Sequence, residues 1–279
     1  MKRTPRWLSG WLLAGLAFLY LPIASLIIFS FNESKLVTVW AGFSTKWYGA
    51  LLHNQQILEA ALLSLKIASM TACLATVLGT LAALCLTRFG PFRGRALFSG
   101  LVTAPLVMPE VITGLSLLLL FVALEQAIGW PAGRGTLTIV IAHATFAMAY
   151  VTVVVQSRLI GMDPSIEEAA MDLGARPAKV FLVVTLPIIA PALVSGWLLA
   201  FTLSLDDLVV SSFVSGPGAS TLPMVIYSKV RLGLSPEINA LATLMVLVVS
   251  VAMIVAGVVM TRQERQQQRD AQMAVNAPD

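Results

Sequence analysis

Asp163-Pro164-Ser165-Ile166-Glu167-Glu168-Ala169-Ala170-Met171-Asp172-Leu173-Gly174-Ala175-Arg176-Pro177 is a polar, helix-forming island between two long apolar runs. With bilayer-like sequence on both sides, it reads as a loop that protrudes from a membrane. Asp163 can cap a helix with Pro164 at its first position, or Ser165 and Glu168 can form a Ser-x-x-Glu capping box; either starts a helix here. Gly174 is placed to end that helix, because the residue after a last turn often adopts a left-handed conformation. Pro177 can open a second short helix leading to Leu186-Pro187, where apolar sequence resumes. Ile166, Ala169, Ala170 and Leu173 recur at i, i+3, i+4 and i+7, a narrow apolar strip suited to a groove on another protein. The alternative is an amphipathic helix lying on lipid, but Glu167, Glu168 and Asp172 beside the strip would be repelled by an anionic inner leaflet.

Over the whole chain, hydrophobic residues make up 58% of the 279 residues and charged ones 11%, against roughly 25% charged in soluble domains. The expected fold class is an all-α polytopic membrane protein. A helix needs about 20 apolar residues to cross a bilayer core of about 30 Å, and six runs qualify, at about 8–31, 64–87, 97–124, 136–157, 188–213 and 238–261. Six spans put both termini on one side. That side holds Lys2, Arg3, Arg6, Arg88, Arg93, Arg95, Arg158, Arg176, Lys179, Arg262, Arg265 and Arg269, which is 12 of the 18 basic residues. Cytoplasmic loops carry such an excess, so the termini and the island are assigned to the cytoplasm. The expected organisation is a cytoplasmic N-terminus at 1–7, a six-span domain at 8–261 with its cytoplasmic loop at about 158–187, and a cytoplasmic tail at 262–279. The apolar stretch after the basic N-terminus is too long for a signal peptide, and no small-x-small cleavage site follows it, so it reads as an uncleaved first span.

Several function classes drop out. The formal charge of +4 and the pI near 9.3 come from basic residues scattered at the ends of apolar runs, a pattern that orients a membrane protein and does not bind nucleic acid. Cys73 and Cys85 share one run, with no CxxC pair and no histidine at ligand spacing, so they read as small packing residues; no metal site or disulfide is expected. No Gly-x4-Gly-Lys-Ser/Thr occurs, and the cytoplasmic loops are too short for a nucleotide-binding fold. No catalytic residue is therefore assigned.

Three acids stand inside apolar runs. Glu110 lies about 14 residues past the inner end of the third run and Asp206 about 16 past that of the fifth, roughly 21 and 24 Å deep at 1.5 Å per residue. With Asp207 they share a level, and carboxylates at that depth are expected to face a cavity instead of lipid. They can line a path for a cationic solute; alternatively Glu110, following Pro109, can cap a broken helix, and Asp206 and Asp207 can hydrogen-bond freed amides at a helix end. Pro105 and Pro109 puncture the third run, and Pro191 and Gly196 the fifth, so those helices should face protein or a water-filled path. Trp40, Trp47, Tyr48 and Tyr227 on the outer side can stack on an alkyl-ammonium ligand, or serve as interfacial anchors or contacts to a partner. His143 and Lys66 admit a proton relay, although a lysine near a helix end can simply snorkel.

Glu168-Ala169-Ala170, then Gly174, then Leu186-Pro187, have the spacing of the "EAA" loop of ABC-importer permeases, which this chain resembles. The resemblance narrows with Phe29-Ser30-Phe31-Asn32, Gly42-Phe43-Ser44-Thr45-Lys46-Trp47-Tyr48, Pro105-Leu106-Val107-Met108-Pro109-Glu110, Leu205-Asp206-Asp207-Leu208-Val209 and Thr221-Leu222-Pro223-Met224. These look like the spermidine/putrescine permeases, nearly end to end. Ser34-Lys35-Leu36-Val37-Thr38-Val39-Trp40-Ala41-Gly42 and Pro236-Glu237-Ile238-Asn239-Ala240-Leu241-Ala242-Thr243 look most like the putrescine branch. Departures are small: Glu110 where aspartate is common, and Val184 where isoleucine is usual. The resemblance implies the six-span type I (MetI-like) permease fold in a bacterial inner membrane. Glu167, Glu168, Ala169, Ala170, Asp172, Gly174, Leu186 and Pro187 would form the loop that couples to an ATPase. It further implies a second, non-identical permease, two copies of a cytoplasmic ATPase that uses ATP and Mg, and a periplasmic polyamine-binding protein, with no cofactor on this chain. A sister permease for ferric iron or a phosphonate, or an ion-coupled secondary transporter, are the rival readings; the latter lacks a visible inverted repeat.

Overall fold

A computed structural model describes residues 6–36, 39–232, 236–251 and 254. In chain order the helices are α1 (Arg6–Ser30), α2 (Lys46–His53), α3 (Gln55–Arg88), α4 (Arg95–Thr103), α5 (Glu110–Ile128), α6 (Thr136–Ile160), α7 (Ser165–Asp172), α8 (Pro177–Val180), α9 (Leu186–Leu205), α10 (Val209–Val214) and α11 (Leu222–Leu232), followed by α12 (Pro236–Val251). Among the described residues there is no strand, only an isolated bridge between Asn32 and Phe43. Among the described residues five helical stretches are long and apolar enough to cross a membrane, and α12 is a shorter apolar helix. Its predicted continuation to 261, like the segments at 1–5 and 262–279, lies outside the described residues. The described residues up to 55, together with those from 228 onward, form one compact unit and 56–227 another.

In the second unit α6 is the spine, packed against α3 and α9 by small residues. Without water between helices there is little hydrophobic drive for association, and close packing of small side chains supplies it. Ala72, Ala75 and Ala83 of α3, Ala147, Val151 and Val155 of α6, and Ile189 and Ala200 of α9 form one buried cluster. Val151 sits between two glycines. A Cβ on Gly79 would lie 2.8 Å from its side chain and one on Gly196 3.2 Å, so the three backbones approach as closely as they do because those positions lack side chains. A second cluster joins Ile67, Phe121, Ile139, Val140, Val210 and Val214. In the first unit, buried Asn32 organises the loop after α1: its amide donates to the Val39 carbonyl at 2.7 Å, and its Oδ1 accepts from Ala41 N at 3.0 Å.

The run boundaries need three corrections. The second run begins at Gln55 instead of 64, because Gln-Gln-Ile-Leu-Glu-Ala-Ala is a good helix former that hydropathy alone leaves out. The third is two helices: α4 stops at Thr103, a 3-10 turn covers Ala104–Leu106, and α5 starts at Glu110. The fifth is not interrupted at Pro191 or Gly196. Both lie within α9, Gly196 being a packing position, and the interruption falls at 206–208, before α10. The strain of Pro187 is taken up earlier. A proline ring clashes with the carbonyl four residues back in a regular helix, and the stretch before it, Phe181–Thr185, is a wider π-helical turn.

Candidate functional site

Two helix breaks meet on one cavity. At the first, Pro105 lacks an N–H and Pro109 is extended, with φ −60° and ψ 133°, so helix resumes only at Glu110. Glu110 then occupies the first turn of α5, where the helix dipole favours a negative charge. At the second, Asp207 restarts the helix. Its Oδ1 accepts from Val210 N at 3.2 Å and its Oδ2 from Ser211 N at 2.7 Å, an N-cap on α10.

Behind Asp207 stands His143 of α6, fully buried. Its Nε2 lies 3.1 Å from both Asp207 Oδ2 and Ser211 Oγ, and its Nδ1 2.7 Å from Ser204 Oγ. An ionised carboxylate only accepts, so Nε2 donates to Asp207, which leaves Nδ1 facing the Ser204 hydroxyl. The polar groups freed by the break are thereby satisfied inside the protein, as a low-dielectric setting requires.

The cavity between the breaks has a volume of about 540 Å³ and is lined by Glu110, Asp206 and Asp207, with Thr113, Phe146 and Tyr150 among their neighbours. All three acids predicted to share a level do share this space, with different duties. Asp207 is buried and acts as a cap, whereas Glu110 and Asp206 are exposed. Among the described lining residues there is no lysine, arginine or histidine, so the charge they present to the cavity is negative. Phe146 and Tyr150 of α6 add aromatic faces that attract cations. Sequence reasoning missed these two, and missed His143 as the partner of Asp207. A break in α9 facing α6 was the missing signal; His143, Phe146 and Tyr150 fall at i, i+3 and i+7, one helix face.

The outer aromatics divide. Trp47 is buried, its Nε1 donating to the Asn32 carbonyl at 2.7 Å, and the Tyr48 hydroxyl meets Ser30 Oγ at 2.7 Å. Trp40 and Tyr227 are about half exposed, at 49% and 50%. Lys66 is exposed on α3.

In the cytoplasmic island, Asp163 is the residue that starts α7. Its Oδ1 accepts from Ser165 N at 2.9 Å, and this backbone hydrogen bond lowers the pKa of the carboxyl. Gly174 ends the helix with φ +82°. Its N–H reaches the Met171 carbonyl at 2.8 Å and that of Ala175 the Ala170 carbonyl at 3.1 Å, a Schellman turn. Pro177 opens α8 as expected. Of the predicted coupling residues, Glu168, Ala169, Asp172 and Gly174 are exposed, Ala170 and Leu186 are half-buried, and Pro187 is exposed at the start of α9. In the apolar strip Ile166 is 45% and Leu173 91% exposed. Glu167 alone turns inward, its carboxylate 2.7 Å from Arg88 Nε and 2.6 Å from the Thr185 hydroxyl.

Residues 75–269 match the family described as "Binding-protein-dependent transport system inner membrane component". The chain is 62% identical to the putrescine transport system permease protein PotI of Escherichia coli, over 98% of this chain and 99% of that one. To the spermidine/putrescine transport system permease protein PotC of the same organism it is 43% identical, over 91% and 93% of the two chains. Among solved structures, a chain of a bacterial ABC transporter involved in the import of alginate superposes with a TM-score of 0.72 at 17% identity, covering 92% of this chain and 94% of that one. One from the inward-facing MetNI methionine ABC transporter gives 0.57 at 18%, covering 79% and 99%. At such low identities these two likenesses speak for the fold alone, that of ABC-transporter membrane subunits.

Proposed function

We propose that this chain, which belongs to the binding-protein-dependent transport system inner membrane components, is one membrane subunit of an ATP-driven importer that takes up polyamine, putrescine above all. The observation that carries the reading is the cavity in which two helix breaks present Glu110 and Asp206 with no basic residue among its lining. An alkyl diammonium ion entering it exchanges hydration for two carboxylates and two aromatic rings. The 62% identity to a putrescine permease, against 43% to a spermidine/putrescine permease, supports the shorter polyamine.

The mechanism is alternating access in a heterodimer with a second, non-identical permease, oriented with both termini in the cytoplasm. A loaded periplasmic polyamine-binding protein docks on the outward loops. Two copies of a cytoplasmic ATPase bind ATP and Mg and receive α7 in a cleft. Ile166, Ala169 and Leu173 supply the apolar contact, and Glu168 and Asp172 the flanking charge. ATP binding opens the path outward and hydrolysis returns it inward; this chain contributes half the path and one lever.

Labelled-putrescine uptake in cells with and without the gene tests the reading, with spermidine as competitor and with ATP depleted while ion gradients are maintained. Gene-dependent uptake that needs ATP and resists excess spermidine is expected. Uptake that survives ATP depletion would refute the ATP-driven mechanism, and loss of gene dependence would refute the substrate.

A further inference from the structure

Helix α7 has no buried residue, so packing does little to hold it to its own subunit. Its ends are fixed by the Asp163 cap and the Gly174 turn, which set its shape but transmit force only along the backbone. One side chain does more. Glu167 projects away from the exposed strip, and both of its carboxylate oxygens are engaged: Oε2 by Arg88, the last residue of α3, and Oε1 by Thr185, the last residue of the π-helical turn before α9. The side chains of Glu167 and Arg88 are only 15% and 22% exposed, and Thr185 is buried, so solvent screens the pair weakly. Glu167, Arg88 and Thr185 also line a groove of about 360 Å³ with Leu84, Met171 and Phe181. The ion pair thus bridges the end of α3 and the lever across this groove.

We propose that Glu167 is a positioning residue, a clasp that passes displacement of α7 to α3 and α9 together. The two adjacent glutamates then have opposite duties: Glu168 faces the partner ATPase, while Glu167 is reserved for its own subunit. The π-helical turn suits this arrangement. Its wider winding turns Thr185 to the carboxylate just where α9 enters the bilayer, and such turns recur at functional sites. The inference rests on the reading of α7 as the ATPase-docking lever.

The test uses the complete transporter, reconstituted with its partner permease, ATPases and binding protein, and reads three quantities: ATPase retained on purification, ATP hydrolysed, and putrescine imported. Glu167→Gln, Arg88→Met and Thr185→Val are near-isosteric. Each is expected to retain the ATPase and continue hydrolysis while importing less putrescine per ATP, by about tenfold for the charge variants, within the usual range for coupling between sites. The combined Arg88→Met/Glu167→Gln variant is expected to lose no more than the worse single variant, because both break one interaction. Unchanged import per ATP, or losses that multiply in the double variant, would overturn the clasp. Loss of bound ATPase in Glu167→Gln would also overturn it, by making Glu167 a docking residue. Leu173→Asp on the exposed strip keeps the underlying reading separately testable: ATPase retained there at the wild-type level would refute α7 as the docking lever, whatever the clasp variants do.

Discussion

The break before α5 is made by two prolines, whereas the break before α10 is closed by one carboxylate, Asp207, which His143 of α6 meets from behind while Ser204 of α9 and Ser211 of α10 meet the imidazole. Pro105 and Pro109 interrupt the ladder wherever they are placed, so that bend is a property of its own few residues. Asp207 interrupts nothing by itself. It caps α10 because His143 stands behind it, with Ser204 and Ser211 completing the cluster. The two breaks border the same cavity, yet one is a local covalent restriction and the other a tertiary agreement.

The largest expected effect separates them directly. Asp207→Ala removes the acceptor of two amides and the partner of a buried imidazole, at a cost of about 3 kcal/mol or more. Asp207→Asn, which keeps a capping oxygen, stays within about 1 kcal/mol. Thermal unfolding of the purified subunit in detergent checks both, and equal losses would refute the capping role. Next come the exposed acids: Glu110→Gln and Asp206→Asn are each expected to lower putrescine uptake about tenfold at low substrate, the equivalent of one charge-assisted contact. Normal uptake in both variants, at normal membrane abundance, would remove them from the path.

A third bend sharpens the contrast, because it rests on backbone conformation alone. Gly174 holds φ +82° with open space around it, so Gly174→Val costs about 1–2 kcal/mol through left-handed strain and not through a clash. Transport should fall severalfold while ATP hydrolysis persists; unimpaired transport would separate the bend from coupling. Pro109→Ala should be milder still, less than about 1 kcal/mol in the same unfolding assay, since Pro105 still interrupts the ladder. The smallest effect is a pH dependence at the start of α7. The Asp163 carboxyl is held below its ordinary value near 3.8 by the Ser165 amide, so its stabilising contribution is complete above that pH and is lost as pH falls through the lowered value. Protection of the 165–168 amides, measured against their intrinsic exchange rates, should fall on acidification in that window and lose this dependence in Asp163→Asn.

The same contrast explains what could be read from the sequence. The cytoplasmic island was legible in detail, because Asp163, Gly174 and Pro177 act on backbone within two residues of themselves. The all-helical membrane fold was legible from hydropathy. Of the cavity, the three acids and the proline break could be found, since a charge in an apolar run is conspicuous whatever surrounds it. The helix end at Asp206 and Asp207 was one of two open readings of those acids, whereas the puncture expected at Pro191 and Gly196 is not there, because residue type alone does not tell a helix breaker from a packing position. Gly196 is read correctly only once Val151 is seen against it. His143, Phe146 and Tyr150 became recognisable only when α6 was set opposite the break, and the inward turn of Glu167 only when Arg88 and Thr185 were brought beside it.

Val151, set between Gly79 and Gly196, works as a key in two slots. Sliding α6 along either neighbour by one residue would bring a side chain where the valine needs none, so axial travel is blocked while rocking about that point is not. The contact therefore fixes the register of α3, α6 and α9 at one point, so that any relative turning of the three helices would pivot on Val151.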